Sequence, residues 1–249
     1  MKVSIITATY NSLPFIRETY SSVLSQTYTD WEWCVTDDCS KDGTYEYLLH
    51  LSLVDKRIIV QRNKTNEGAA VARNLSLSAS TGDYIAFIDS DDLWTPDKIE
   101  KQLNFMLQNK LDFTFTAYEI IDESSISINK YVDINQNNPL SYEDMLKKKA
   151  TLGCSTVMLR KLAIADLTMP LLRTGQDYAL WLKILKEGTK AFPYNQILMK
   201  YRIVSTSISR NKLRKAMRQW QIYREIEKLP LYKSCYCFLF YAWRAIFRK

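Results

Sequence analysis

Asp89-Ser90-Asp91-Asp92 places three carboxylates directly after Asp83-Tyr84-Ile85-Ala86-Phe87-Ile88, a run that reads as a buried strand. Charge stands where a sheet ends. Ligands of open α/β sheets bind outside the carboxyl ends of the strands, and closely spaced carboxylate oxygens suit a hard cation such as Mg2+ or Mn2+. The spacing therefore points to a metal-diphosphate site. An acidic cluster after a strand also occurs as a solvated loop or a helix cap, and Asp92, just ahead of Pro96, reads as a residue of that kind.

Two more strand tips carry suitable groups. Thr7-Ala8-Thr9-Tyr10-Asn11 ends the first apolar run, and Asp37-Asp38-Cys39-Ser40-Lys41-Asp42-Gly43-Thr44 ends the second. A carboxylate at the second tip can accept a hydrogen bond from a base N–H or a ribose hydroxyl, and Tyr10 can stack on the base. Three tips thus converge on something resembling a nucleotide.

The elements that must position these tips alternate regularly. Residues 2–8 read as a strand and 12–26 as a helix with Pro14 in its first turn. Residues 31–36, 57–61 and the run ending at Ile88 read as strands, separated by helices over 43–51 and 69–79. Such alternation predicts a parallel sheet with right-handed crossovers. After Pro96 come a helix (97–108) and a strand (112–118), and then the pattern decays. Residues 122–140, rich in Asn and Ser, predict a loop or edge hairpin. A short helix from Tyr142, strands over 156–160 and 196–201, and a helix over 176–186 complete a domain ending near residue 210. From 211 to 249 a basic, aromatic tail reads as two amphipathic helices divided by Pro230.

With 249 residues, 47% hydrophobic and 24% charged, the chain can bury one substantial core, which excludes a disordered or fibrous protein. The start lacks the apolar segment of a secretory signal, so a cytoplasmic location is expected. Five cysteines without metal-site spacing read as reduced thiols. The net charge of +7 sits largely in the tail, where ten Lys and Arg fall between Lys212 and Lys249. Negative strand tips argue against a nucleic-acid partner, since phosphate binding needs bases. The last segment, 234–247, is too short to span a bilayer, which takes roughly 20 apolar residues, but suits an anionic membrane surface. Packing on the domain or forming a homodimer are the other readings of the tail.

Taken together, Val3-Ser4-Ile5-Ile6-Thr7-Ala8-Thr9-Tyr10-Asn11, the 37–44 segment, Asn66-Glu67-Gly68 with Ala72-Arg73-Asn74, and Asp89-Ser90-Asp91-Asp92 resemble family 2 glycosyltransferases. The similarity extends to Gln176-Asp177-Tyr178-Ala179-Leu180-Trp181-Leu182 and Tyr201-Arg202-Ile203-Val204-Ser205, covering roughly residues 1–210. It implies an α/β fold of the GT-A type, with a Rossmann-like nucleotide-binding half (about 1–118), a mixed central sheet, an acceptor half (about 119–210) and the C-terminal helices beyond. It also implies inverting transfer dependent on Mn2+ or Mg2+. Position by position, Asp38 would hold the uracil, with Thr7, Ala8, Tyr10, Arg73, Asp89 and Ser90 around the nucleotide and Asp91 as the metal ligand. Asp177 would be the catalytic base; an Asp in the first turn of a helix also simply complements the dipole.

One position departs from the family. Val204 stands where members often carry His, and the sole histidine, His50, lies away from every motif. Within the family the chain looks like bacterial enzymes of O-antigen, capsule or teichuronic acid synthesis. That likeness implies a UDP-sugar donor, with a weak lean to UDP-glucose, an undecaprenyl-diphosphate-linked sugar acceptor, and peripheral work on the inner face of the plasma membrane. The small-residue stretch Thr151, Gly153, Cys154, Ser155 and Thr156 suits an acceptor pocket or plain packing equally. A sugar-nucleotide nucleotidyltransferase would show a glycine-rich phosphate loop after the first strand, which Thr7-Ala8-Thr9-Tyr10-Asn11-Ser12 is not; a non-catalytic carbohydrate-binding module rests only on pI and aromatics.

Overall fold

Val3–Thr9 (β1) lies between two parallel partners, Trp31–Asp37 (β2) and Tyr84–Phe87 (β4), and Ile58–Arg62 (β3) extends the sheet beyond β2. The computed structural model describes residues 1–204 and 212–247. Every residue of β2 and β4 is buried, as expected for parallel strands covered on both faces. The crossovers are helices Leu13–Leu24 (α1), Thr44–Val54 (α2) and Ala69–Ala79 (α3), the first with its proline in the opening turn. The expected alternation is present through β4.

Beyond β4 the sheet becomes mixed. A two-residue strand, Leu93–Trp94 (β5), and helix Lys98–Asn109 (α4) precede Phe113–Ile121 (β6), which forms a hairpin with Ser127–Val132 (β7). After the short helix Tyr142–Leu146 (α5), Val157–Arg160 (β8) pairs antiparallel with both β4 and β6. Helix Gln176–Lys186 (α6) then leads to Phe192–Arg202 (β9), parallel to β6. The sheet order is β3-β2-β1-β4-β8-β6-β9-β5, with β7 beside β6. β9 starts at Phe192, four residues before the expected strand, and β5 has no sequence signal, being two residues paired with Lys200 and Met199.

Two cores flank the sheet. One holds Val3, Ile5, Trp31, Trp33, Ile99 and Met106; the other holds Ile6, Phe87, Phe113 and Trp181, whose indole meets the Phe87 and Phe113 rings at 5.5 and 5.4 Å. A buried carboxylate, Glu32, joins β2 to the approach of β4: it accepts bonds from Ser4 Oγ (2.6 Å), Thr81 N (2.5 Å) and Thr81 Oγ1 (2.8 Å) and pairs with Lys2. Burial alone would raise its pKa, but these donors outweigh it and bring it down to about 2.

The tail comprises helix Lys212–Gln221 (α7), one π-helical turn over Ile222–Ile226, and helix Leu231–Phe247 (α8). It is built into the domain. Ile222, Tyr223, Leu229 and Cys237 belong to the same core as Trp181. Tyr223 bonds the Leu146 carbonyl, and Glu227 accepts from Tyr142 Oη (2.6 Å) and Lys186 Nζ (3.1 Å). The opposite face of α8 carries Tyr232, Tyr236, Leu239 and Trp243, at steps of four, three and four residues, all exposed. No helix among the described residues is long and apolar enough to cross a membrane.

Candidate active site

The parallel pairing of β1 with β2 and β4 brings the three predicted tips to one sheet edge. At the tip of β4 the three carboxylates face three different surroundings. Asp89 is half-buried and pairs with Arg73 Nη2 at 2.5 Å. Asp92, expected to be a solvated or capping residue, is instead fully buried. Its Oδ2 accepts from Ser155 Oγ (2.5 Å) and its Oδ1 from the backbone N–H of Arg202 (3.1 Å). Burial, with Asp91 and Asp89 beside it, keeps the Asp92 carboxyl well above the ordinary value. Helix α4 is preceded by Asp97.

Asp91 differs from both: among the described residues no other residue donates to its carboxylate. Burial first, then the neighbouring Asp89, pushes its pKa up to about 6. An acidic group desolvated in this way gains from a cation. No three His, Cys, Asp or Glu among the described residues converge to hold an ion unaided. The donors present nevertheless fit Mg2+ or Mn2+, which characteristically take one or two carboxylates and fill the remaining positions with phosphate oxygens and water.

Two residues hold this turn that sequence reasoning gave no such role. Ser155, fully buried, accepts from Asp89 N (2.9 Å) while donating to Asp92 and so supports the acidic turn; Thr156, also fully buried, donates instead to the Gly153 carbonyl (2.7 Å). Arg202, the last residue of β9, is fully buried; its Nε donates to the Asp91 carbonyl (2.8 Å). Its Nη1 donates to Glu123 O (3.1 Å) and Ser125 Oγ (2.8 Å), and its Nη2 to Glu18 Oε2 (2.9 Å). A buried arginine with partners on three segments would be visible in sequence only as part of the Tyr201-to-Ser205 pattern. Val204 follows two residues later; Ser205, and the 207–211 part of the segment likened to bacterial polymer enzymes, lie outside the described residues.

The nucleotide tips divide in the same way. Tyr10 is 49% exposed and Ala8 and Ser90 are half-buried, so these reach the edge. Thr7 is fully buried beneath it: Oγ1 donates to Ile88 O (2.9 Å) and accepts from Trp33 Nε1 (2.8 Å). The Asp38 carboxylate accepts from Asn63 Nδ2 (2.8 Å), Glu67 N (2.9 Å) and Gly68 N (2.7 Å). It thereby fixes the loop leading into α3, where Gly68 takes φ +96°, and retains one lone-pair direction of about four. His50 is exposed on α2.

Arg73 sits on α3 facing this edge. It is 6% exposed, and among the described residues its Nε and Nη1 have no hydrogen-bond partner, leaving two buried donors for an acceptor. Burial opposes its charge, but Cys154, Asp89 and Asp177 around it hold its pKa above the usual arginine value. Asp177 lies in the first turn of α6, after Gly175 at φ +74°. A Cβ at Gly175 would come within 2.8 Å of the Arg218 side chain, so α7 abuts the start of α6.

A family model for glycosyl transferase family 2 matches residues 4–165, which include all three strand tips and Arg73. The chain belongs to that family. WfgD of Escherichia coli, a UDP-Glc:alpha-D-GlcNAc-diphosphoundecaprenol beta-1,3-glucosyltransferase, is 39% identical over 235 residues, covering 94% of this chain and 90% of WfgD. A Bacillus subtilis (strain 168) glycosyltransferase provisionally assigned to teichuronic acid biosynthesis, TuaG, is 42% identical over 247 residues, covering 99% of this chain and 97% of TuaG. In fold, the chain is similar to S. aureus TarS in complex with UDP-GlcNAc, with a TM-score of 0.72 at 19% identity over 90% of this chain and 65% of that one. PcManGT from Pyrobaculum calidifontis, in complex with GDP-Man and Mn2+, gives 0.70 at 17% identity, covering 92% of this chain and 64% of that one. The glycosyltransferase is thus an α/β protein of GT-A architecture, with its C-terminal helices packed on the core around Trp181, and its relatives work in bacterial surface polysaccharide synthesis.

Proposed function

We propose that this glycosyltransferase moves a hexose, with UDP-glucose the favoured donor, to a sugar carried on undecaprenyl diphosphate, inverting the anomeric centre. The observation that carries the reading is the gathering at one sheet edge of Asp91, the Asp89–Arg73 pair and Asp177, a cation-seeking carboxylate, an arginine with two free donors, and an acid at a helix start. WfgD, similar along nearly its whole length, is named for that donor and acceptor.

Asp91 would hold Mn2+ or Mg2+, which neutralises the charge growing on the departing diphosphate. Arg73 supplies Nε and Nη1 to the same diphosphate while Asp89 orients its guanidinium. Tyr10 covers the base, Ala8 and Ser90 border the ribose and phosphates, and Asp38 offers its remaining lone pair to the uracil. Thr7 supports these groups from within the sheet. Asp177 takes the proton of the acceptor hydroxyl as it attacks from the face opposite the diphosphate, since that proton is too tightly held at neutral pH to leave unaided. The exposed Tyr232-to-Trp243 face and the basic tail suit contact with an anionic membrane surface on the cytoplasmic side, where a lipid-linked acceptor resides.

The test is UDP release from a panel of UDP-sugars, with and without Mn2+, in the presence of a synthetic N-acetylglucosaminyl diphosphate bearing an alkyl chain. Metal-dependent release with UDP-glucose is expected. Release that ignores the metal, or none with any donor alongside no UDP binding by calorimetry, would overturn the reading.

A further inference from the structure

We infer that a cavity of about 400 Å3 beside the β6–β7 hairpin is the subsite for the sugar ring of the acceptor. The inference rests on the glycosyltransferase reading and names where that reading's second substrate sits. The volume falls within the range of small-molecule sites, roughly 300–1,000 Å3.

Its lining suits a neutral polyol. Tyr131, on the edge strand β7, is 46% exposed and offers a ring face to a pyranose C–H face, and Tyr118 also lines the cavity. Asn135 and Gln136 supply amide groups to sugar hydroxyls. Charge decides against a phosphate occupant. Among the described residues that line it, Asp133 stands in the wall and Lys149, the cation, is paired with Asp144 at 2.5 Å. The diphosphate of the acceptor therefore lies outside this cavity and its sugar inside.

The cavity is also tied to the chemistry. Thr151 precedes Cys154 by three residues, a reach of at most ~10 Å, and the Cys154 thiol feels Arg73, Asp89 and Asp177. Helix α6 carries Asp177 in its first turn and Trp181 one turn later, and Trp181 Nε1 donates to the Leu152 carbonyl (3.2 Å). Asp133 accepts from Thr151 N (2.9 Å) and Leu152 N (3.1 Å), fastening the hairpin to the same loop. The ring of Tyr118 lies directly against Gly153, where a Cβ would come within 3.6 Å of it. One rigid unit thus carries both the proposed base and the cavity rim. Asp133 (φ +61°) and Leu152 (φ +47°) hold left-handed backbone here, a strain that persists only where surrounding structure demands it.

The experiment compares the wild-type chain with Tyr131→Ala and Asn135→Ala, both at solvent-facing positions whose replacement leaves the core intact. Saturation-transfer NMR reads proximity between the protein and the ring protons of the N-acetylglucosaminyl diphosphate probe, without turnover; steady-state assays read KM for the probe and for UDP-glucose. Expected are ring-proton signals that fall at least five-fold in Tyr131→Ala, and a KM for the probe raised about ten-fold in each variant. UDP binding by calorimetry and KM for UDP-glucose should stay within two-fold. Ring-proton signals that persist in Tyr131→Ala, a probe KM unchanged in both variants, or no such signals from wild-type protein that binds UDP, overturn the subsite. If wild-type protein gives the signals without binding UDP, and Tyr131→Ala abolishes them, the subsite stands and the donor assignment falls instead.

Discussion

Asp91 and Asp177 have separable jobs in the proposed reaction, and kinetics should separate them. Asp91→Ala removes a carboxylate to which no other described residue donates, so both transfer and UDP binding in the presence of Mn2+ should fall. Asp177→Asn removes a proton acceptor and preserves shape. It should lower kcat by about 10²–10⁴-fold while UDP binding by calorimetry stays near wild type. Near-normal turnover in Asp177→Asn would assign the base elsewhere. At this scale the sequence was most informative about residues that end strands: Ala8, Tyr10, Ser90 and Asp91 reach the edge as their positions suggested. It was least informative about hydrogen bonds made inward. Thr7 and Asp92 look like tip residues in one dimension, yet their donors and acceptors lie on β2, at Ile88 just past β4, on β9 and on the Ser155 turn, most of them distant in the chain.

Elements hold the edge through two long-range clamps. Arg202 joins β9 to the carbonyl of Asp91, to the 122–125 turn and to α1 through Glu18. Lysine keeps the charge but cannot reproduce a planar fork, so Arg202→Lys should cost about 2–4 kcal/mol of stability and weaken Mn2+-dependent UDP binding roughly ten-fold. Ser125→Ala, which removes only the outer partner, should be far milder on both measures; equal UDP affinity in wild type and Arg202→Lys would reduce Arg202 to a purely structural tie. Glu32 clamps the far end of the sheet. Its pKa is depressed to about 2, so its contribution is fully present above about pH 4.5 and is lost as pH falls toward 2. Glu32→Gln should therefore lose on the order of 2 kcal/mol at pH 7 and show a shallower fall in stability between pH 4.5 and 2 by chemical denaturation. The helices and the first four strands were legible because their apolar periods are long and regular. β5 was not, since two residues carry no period, and the mixed order of β8, β6 and β9 follows from packing across the sheet that no local pattern encodes.

For the molecule as a whole, the division into a catalytic domain and a tail is a division of sequence more than of packing. Tyr223, Leu229 and Cys237 fill the core that Trp181 starts, and Arg218 lies against Gly175 at the head of the helix bearing Asp177. What the tail leaves outward is the Tyr232-to-Trp243 stripe. Replacing Tyr232 and Leu239 together by Ser should leave UDP release from UDP-glucose, measured with the short-chain acceptor, unchanged while cutting co-sedimentation with phosphatidylglycerol-containing vesicles at least five-fold; a wild-type chain that stays in the supernatant would rule out the membrane contact. The stripe brings its own instrument. Of the six tryptophans, Trp31, Trp33, Trp94 and Trp181 are at most 4% exposed, Trp220 packs edge-on against Phe238, and Trp243 is 62% exposed. Five of the six indoles are thus already shielded to some degree in the free protein, so a blue shift of intrinsic fluorescence on adding vesicles would report chiefly on Trp243, and an unlabelled chain can be titrated against lipid by its own emission.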